Sequence, residues 1–375
     1  MPIRVLIVDD SKAIGAFLTA VLSADPEIEV LGQAFDPFEA RNLIKELSPD
    51  VITLDVEMPR MDGITFLRNL MRLRPMPVLM LSSLTSEGAE VTLDALAAGA
   101  VDFMVKRNPK TAEEREQYQT DIIDRVKTAA SAQVAAAPVA AQPSPKGATQ
   151  ENRGPSGSSA PELNDWRATL RTASTASSRA HRVLVLGAST GGTEALRIVL
   201  SALEVDGTAV LLAQHMPERF MAPFAERLNR CTGYATREGK HLESLEAGRV
   251  YVAPGDQHMT LKRVDQNLMV KLDSGPNVEG HRPSVDKLFH SVAAAAGPSA
   301  VGVLLTGMGK DGAAGLLAMR QAGAITLVQD ERTSAVWGMP GAAAKMGAAM
   351  AALPLLSVAP TLNRLLKGST VAAAS

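Results

Sequence analysis

A single cysteine, Cys231, stands in a chain of 375 residues. That excludes an internal disulfide framework and any cysteine-rich zinc site, and it fits a reducing compartment. Aromatic residues are only 3% of the chain, too few for the stacking platforms that hold single-stranded nucleic acid. No apolar run approaches the roughly 18 residues that a membrane span needs. The opening MPIRVLIVDDSK has a short apolar run that ends in two aspartates, which does not read as a signal peptide. A surplus of either charge is also missing: 38 Lys+Arg face 40 Asp+Glu, a formal net charge of −2. A balance this even argues against a general grip on nucleic acid or on a membrane surface. At about 150 residues per domain, the length predicts two to three domains.

The first break is compositional. Residues 128–162 are rich in Ala, Pro, Ser and Gly, and their only large aliphatics are Val134 and Val139. Such a stretch cannot bury enough apolar surface to offset the entropy of ordering it. The linker is therefore expected over 128–180, between a module at 1–127 and another at 181–375. Within it, Leu163, Trp166 and Leu170 have the spacing of one stripe on a short helix, and chance spacing in a linker is the alternative. The charge divides unevenly across this break. Residues 1–127 carry 14 basic and 21 acidic side chains (−7), residues 128–180 carry 5 and 3 (+2), and residues 181–375 carry 19 and 16 (+3). An acidic module is tethered to a mildly basic one, a division that favours contact between them.

In the first module, five apolar strand-like runs alternate with helix-like stretches, which predicts a doubly wound α/β fold with a five-stranded parallel sheet. Asp9, Asp10, Asp55, Ser82 and Lys106 each stand at or just past the end of such a run. Ligands of open parallel sheets bind beyond the carboxyl ends of the strands. Three carboxylates gathered there would repel one another unless a hard divalent cation joined them, and oxygen ligands suit Mg²⁺. A lysine complements an incoming phosphoryl group, and one carboxylate can serve as the nucleophile. The segment resembles a two-component receiver domain, through VDDS, LDVEMPRMDG, LSS and VK. The resemblance implies Asp55 as phospho-acceptor, Asp9, Asp10 and Asp55 as Mg²⁺ ligands, and Ser82 and Lys106 as the phosphate switch. Two departures stand out: Ser82 replaces the common threonine, and Arg107 replaces the usual proline.

The second module opens with HRVLVLGASTGGTEALRIVLSAL, a buried strand, a small-residue turn and an amphipathic helix. Gly187, Ser189 and Gly191 match G-x-S-x-G, a turn that presents a serine hydroxyl at a sheet edge. Such turns also bind phosphates, but no lysine follows as in a Walker A loop, and the G-x-G spacing of dinucleotide folds is missing. A serine needs a base, and this module holds all six histidines: His181, His215, His241, His258, His281 and His290. His215 closes the strand-like AVLLAQ, so it is expected at the same sheet edge. An acid must orient the base. Asp311 follows the strand-like VGVLL, with Asp256, Asp286 and Asp330 as rivals.

Taken in order, GASTGG, AQHM, VYVAPGDQHM, HRPSVD and TGMGKDGAAGL resemble the catalytic domain of the chemotaxis receptor methylesterase (CheB) family over roughly 182–370. The resemblance implies a Rossmann-like, mainly parallel α/β serine-hydrolase domain. It implies Ser189 as nucleophile, His215 as general base and acid, and Asp311 as its partner. It places the Met308 N–H in an oxyanion hole and gives Thr190, Gly191 and Gly192 to the turn. His258 and Arg282 fall in motifs near the site. The implied reaction is hydrolysis of glutamyl γ-methyl esters on methylated chemoreceptor helices, with deamidation of receptor glutamine as a parallel. A histidine kinase is the implied phosphoryl donor. Mg²⁺ is expected in the receiver alone, with no cofactor in the catalytic domain. The expected protein is a cytoplasmic monomer that binds no nucleic acid and does not insert in a membrane. The acidic receiver is expected to sit against the catalytic edge and to move on phosphorylation. A different receiver-controlled ester hydrolase and a non-enzymatic output module are the competing readings.

Overall fold

The computed structural model describes residues 1–58, 61–82, 86–134, 182–204 and 207–367. The linker beyond 134, the 163–170 stripe and His181 lie outside them. The N-terminal sheet is built from β1 (Ile3–Val8), β2 (Ile28–Ala34), β3 (Val51–Asp55), β4 (Val78–Ser82) and β5 (Asp102–Val105). Its order is β2-β1-β3-β4-β5, and every pairing is parallel. Helices α1 (Lys12–Leu22), α2 (Pro37–Leu47), α3 (Gly63–Leu73), α4 (Ser86–Ala97) and α5 (Ala112–Ala130) alternate with the strands. Their starts follow from local chemistry. Asp36 accepts from the N–H groups of Phe38 and Glu39 ahead of Pro37, Asp62 accepts from Thr65 N, and Thr111 with Glu114 closes a capping box. Each satisfies N–H groups that the first helical turn leaves unpaired. Helix α5 runs past residue 127, so Thr128 to Ala130 are helix and not the start of the linker.

The C-terminal sheet has seven strands, all parallel, in the order β14-β13-β12-β6-β7-β9-β8. They are β6 (Arg182–Ala188), β7 (Thr208–Gln214), β8 (Ala235–Glu238), β9 (Arg249–Val252), β12 (Ala300–Leu304), β13 (Ile325–Gln329) and β14 (Ala351–Leu353). Helices α6 (Gly192–Ser201), α7 (Glu218–Thr232), α8 (Val285–Ala296), α9 (Ala313–Gln321), α10 (Met339–Lys345) and α11 (Leu355–Lys367) pack around it. The sheet is parallel as expected, and beside it β10 (His258–Val264) and β11 (Asn267–Asp273) form a separate antiparallel hairpin.

From β6 the chain first builds outward through β7, then returns to lay β12 on the opposite side of β6. The strand order therefore reverses at β6, and the crevice beyond its carboxyl end is where such sheets bind ligands. One hydrophobic cluster runs through both modules. It includes Ala89, Leu93 and Phe103 on one side and Leu196, Phe220 and Phe224 on the other. Among the described residues, no helix is long and apolar enough to cross a membrane.

Candidate functional site

In the N-terminal module, Asp9 and Asp55 are buried and Asp10 is exposed, and each offers a carboxylate oxygen within 4.8 Å of the others. The Lys106 ammonium reaches both buried acids, at 2.9 Å from Asp9 Oδ2 and 2.8 Å from Asp55 Oδ1. Burial pushes the Asp55 carboxyl above its ordinary range, partly offset by the bond from Lys106. For Lys106, burial works downward, but the hydrogen bonds to Asp55 and Asp9 leave it raised. The oxygen-only donor set is the one that a hard cation such as Mg²⁺ prefers. Ser82 is fully buried, and Thr92 on α4 donates to its hydroxyl at 2.7 Å. Arg107 gives its departure from proline a use: its N–H donates to the Tyr118 hydroxyl at 3.2 Å, and that hydroxyl donates to Val105 O at 3.1 Å. A proline has no N–H to give.

The second cluster lies at the β6 switch point. Ser189 follows β6, His215 follows β7 on one side, and Asp311 lies beyond β12 on the other. His215 Nε2 and Asp311 Oδ2 are 2.8 Å apart. Asp311 is 1% exposed and sits over the amino end of α8. Its Oδ1 accepts from Ser284 Oγ and Asp286 N, both at 2.9 Å, and its Oδ2 accepts from Val285 N at 2.7 Å. Burial would raise this carboxyl, but the bonds from His215, Asp286 N and Val285 N hold it below the ordinary range. A helix amino terminus is a natural seat for a carboxylate.

Because Asp311 takes Nε2, Nδ1 of His215 is the ring nitrogen left for the serine, and it is buried with no hydrogen-bond partner. Ser189 and His215 side chains are not hydrogen-bonded to each other in this state; such bonds often tighten only when substrate arrives. Gly191 adopts φ 73°, and a Cβ there would lie 2.6 Å from Ala335 Cβ. A Cβ on Gly307 would lie 2.7 Å from Ser189 Cβ, so the Gly307–Met308 loop passes directly beside the serine.

The remaining candidates separate cleanly. Asp256 pairs with Arg282 at 2.6 Å, Asp286 accepts from Gly315 N, and Asp330 accepts from Thr333 N, so none of the three holds His215. His258 is fully buried at the start of β10. Its Nε2 bonds Pro276 O at 2.9 Å and its Nδ1 accepts from Ser284 N at 3.2 Å. Burial pulls its pKa down. It supports the turn that delivers Ser284 to Asp311. Arg282 donates to the Ser274 and Gly275 carbonyls and clamps the same turn. His241 accepts from Leu272 N and His290 lies on α8.

Sequence reasoning gave no role to His281. Its ring stacks on that of His215, with centroids 3.7 Å apart and planes at 11°. Burial, helped by the charge of His215, takes its pKa down to about 4. The HRPSVD motif was the available signal, but which ring it would meet is a matter of tertiary structure.

The N-terminal module packs over this edge. Thr190 Oγ1 donates to Asp102 Oδ2 at 2.8 Å, and Arg125 holds the same carboxylate at 2.9 Å. Phe103 meets Phe220 with ring centroids 4.5 Å apart, and Asp94 pairs with Arg227 at 2.5 Å. Thr128 Oγ1 donates to the Met308 sulfur at 2.7 Å, and Gln133 N donates to Ala335 O at 3.1 Å. These contacts come from α4, β5, α5 and the residues after it, and they land on both sides of Ser189.

Residues 5–115 match the family model of the response regulator receiver domain, and residues 184–362 match that of the CheB methylesterase. A protein-glutamate methylesterase/protein-glutamine glutaminase of Xanthomonas campestris pv. campestris is 52% identical over 361 residues, covering 96% of each chain. A relative of the same name in Hydrogenovibrio crunogenus is 44% identical over 372 residues, covering 97% of this chain and 99% of its own. With likeness at this level along nearly the whole of both chains, the protein belongs to the CheB family of receiver-linked protein-glutamate methylesterases/protein-glutamine glutaminases.

Proposed function

We propose that this chain is a serine hydrolase that removes methyl groups from glutamyl γ-methyl esters on chemoreceptor helices and deamidates receptor glutamine. The observation that carries the reading is the His215–Asp311 pair set beside Ser189 at the β6 switch point. Ser189 Oγ attacks the ester carbonyl while its proton passes to His215 Nδ1. Asp311 holds the Nε2–H and stabilises the imidazolium. The Met308 N–H, in the loop beside the serine, receives the developing oxyanion. Methanol leaves with the proton from His215. Water then gives its proton to the same nitrogen and attacks the acyl-serine, releasing glutamate. With glutamine as substrate, ammonia leaves in place of methanol.

The receiver is the input. Asp55 is the phospho-acceptor, supplied by a histidine kinase, with Lys106 and Ser82 facing the phosphoryl oxygens. Asp9, Asp10 and Asp55 would hold Mg²⁺, which neutralises phosphoryl charge when bound. The docked face obstructs the receptor helix, and phosphorylation shifts the two modules toward an open arrangement. In this reading the receiver extends through α5, the linker follows it, and the catalytic domain begins near residue 181. The protein acts in the cytoplasm as a monomer.

The test is methanol release from a panel of methylated receptors, with and without a phosphoryl donor. Release from a receptor, raised by the donor, is expected. Turnover of generic esters with no release from any receptor would assign the chain to another ester hydrolase. Equal rates for the full chain, for residues 181–375 and for the donor-treated chain would sink receiver inhibition.

A further inference from the structure

The ladder between β6 and β7 ends at Ala188 opposite Gln214. The His215 N–H gives a last backbone bond to Ala188 O at 3.2 Å. Beyond that rung stand the nucleophile and the base, and their carbonyls have no partner strand. One side chain replaces it. Gln214 is 2% exposed, and its Nε2 donates to Ser189 O at 2.9 Å and to His215 O at 3.1 Å. A single amide nitrogen thus ties together the main chains that carry the two reacting groups. Room for it is made at the helix start. A Cβ on Gly192 would lie 2.4 Å from Gln214 Oε1 and 2.6 Å from Ala188 Cβ. Ser189 O also accepts from Gly192 N at 2.7 Å, so the first turn of α6, the serine and the amide form one unit.

We propose that Gln214 is a positioning residue for the hydrolysis: its amide sets the separation of Ser189 and His215 without touching substrate. The proposal rests on the reading of Ser189 as nucleophile and His215 as base. Past the rung from His215 N–H to Ala188 O, no backbone bond joins Ser189 to the β7 end, and Ser189 N bonds instead to Thr306 O at 3.0 Å on the β12 side. The spacing of Ser189 and His215 then depends on whatever joins the backbones, and misplacement by about 1 Å can cost about a hundredfold in rate. Gln214 differs in kind from Asp311, which sets the orientation of the His215 ring. Gln214 sets where the ring and the hydroxyl are anchored.

The test uses the full chain treated with a small-molecule phosphoryl donor. A fluorophosphonate probe reads the nucleophile directly: the Ser189 Oγ–P bond forms as P–F breaks, fluoride leaves and the proton passes to His215. The labelling end point counts folded sites, and the rate per labelled site reads their reactivity. Gln214→Glu keeps the shape and loses the NH₂ donor, whereas Gln214→Asn keeps the donor on a shorter arm. For Gln214→Glu, the expected result is a fall of about tenfold or more in both labelling rate per site and kcat for methanol release, with KM within about twofold. Gln214→Asn should fall between it and the parent. A rate per site within about twofold of the parent for both variants overturns the proposal, whatever the end point. So does a KM increase that accounts for the whole loss. A parent chain that labels at Ser189 but releases no methanol defeats the methylesterase reading and leaves the positioning test intact. A parent that does not label at Ser189 removes the nucleophile and the proposal together.

Discussion

Asp55 and Asp311 are both buried carboxyls at the carboxyl edge of a parallel sheet, and the molecule treats them in opposite ways. Asp55 has the Lys106 ammonium and the Glu57 N–H as donors and the acids Asp9 and Asp10 as neighbours, and its pKa is raised. Asp311 accepts four hydrogen bonds, from His215, Ser284 and two N–H groups at the start of α8, and its pKa is lowered. Burial is not the discriminator, since both are almost inaccessible. The number of donors that fix the charge is. A carboxylate with every lone pair engaged is an orienter, whereas one with lone pairs to spare can itself react. On the proposed reading, the two modules use one location in one kind of sheet for a group to be modified and for a group to be left alone.

Five measurements bear on that contrast, beginning with the largest effect. Ser189→Ala should reduce methanol release by about four orders of magnitude or more, while phosphorylation at Asp55 proceeds as before. Full esterase activity in that variant would remove Ser189 from its role. Asp311→Asn should cost about 10³–10⁴ in kcat, because an amide cannot hold the same His215 tautomer. If Asp311 only caps α8, thermal stability would fall and kcat would not. Asp55→Asn should abolish incorporation of phosphate and the donor-stimulated gain in esterase rate. Retained stimulation would place the acceptor elsewhere.

The last two effects are smaller. Arg227→Ala removes the pair with Asp94 at the module boundary, a half-exposed contact worth at most about 1 kcal/mol. It should raise the unphosphorylated esterase rate no more than about fivefold, and an unchanged rate would show that this bridge does not hold the modules together. His281, with a pKa near 4 against 6.5 when exposed, binds fewer protons folded than unfolded. Its contribution to stability is fully present above about pH 6.5 and is lost as the pH falls toward 4, with no further loss below. The shift corresponds to about 3 kcal/mol. Denaturant titrations of His281→Gln should show a flatter decline than the parent over that window, and parallel declines would contradict it.

Strand-end position alone carried much of this site. Asp9, Asp55, Ser82 and Lys106 gather because parallel strands deliver their last residues to one edge. The same logic paired His215 with Ser189 from the length of one βα unit. It favoured Asp311 over Asp256, Asp286 and Asp330 only weakly, since all four sit in polar segments. The choice depends on which side of β6 the chain returns to, and strand order is not written in periodicity. The β10–β11 hairpin went unread because its alternation falls in a stretch dominated by loop-like residues. The stacking of His281 on His215 and the bond from Thr190 to Asp102 join segments far apart in sequence, and no local pattern encodes either. The unequal charge permitted contact between the modules, but among the described residues the atoms that meet are mostly apolar or hydrogen-bonded, with an ion pair between Asp94 and Arg227.

Thr190 is the residue next to Ser189, and its hydroxyl is held by the receiver's Asp102. If that surface must depart before substrate enters, as proposed above, reciprocity applies to it. Whatever free energy phosphorylation then contributes toward admitting the receptor helix, the bound helix would return to the phosphorylated form. A crowded array of methylated receptors is then more than a substrate pool. By holding the modules apart, it would favour the phosphorylated receiver at equilibrium and make the output domain a sensor of its own workload.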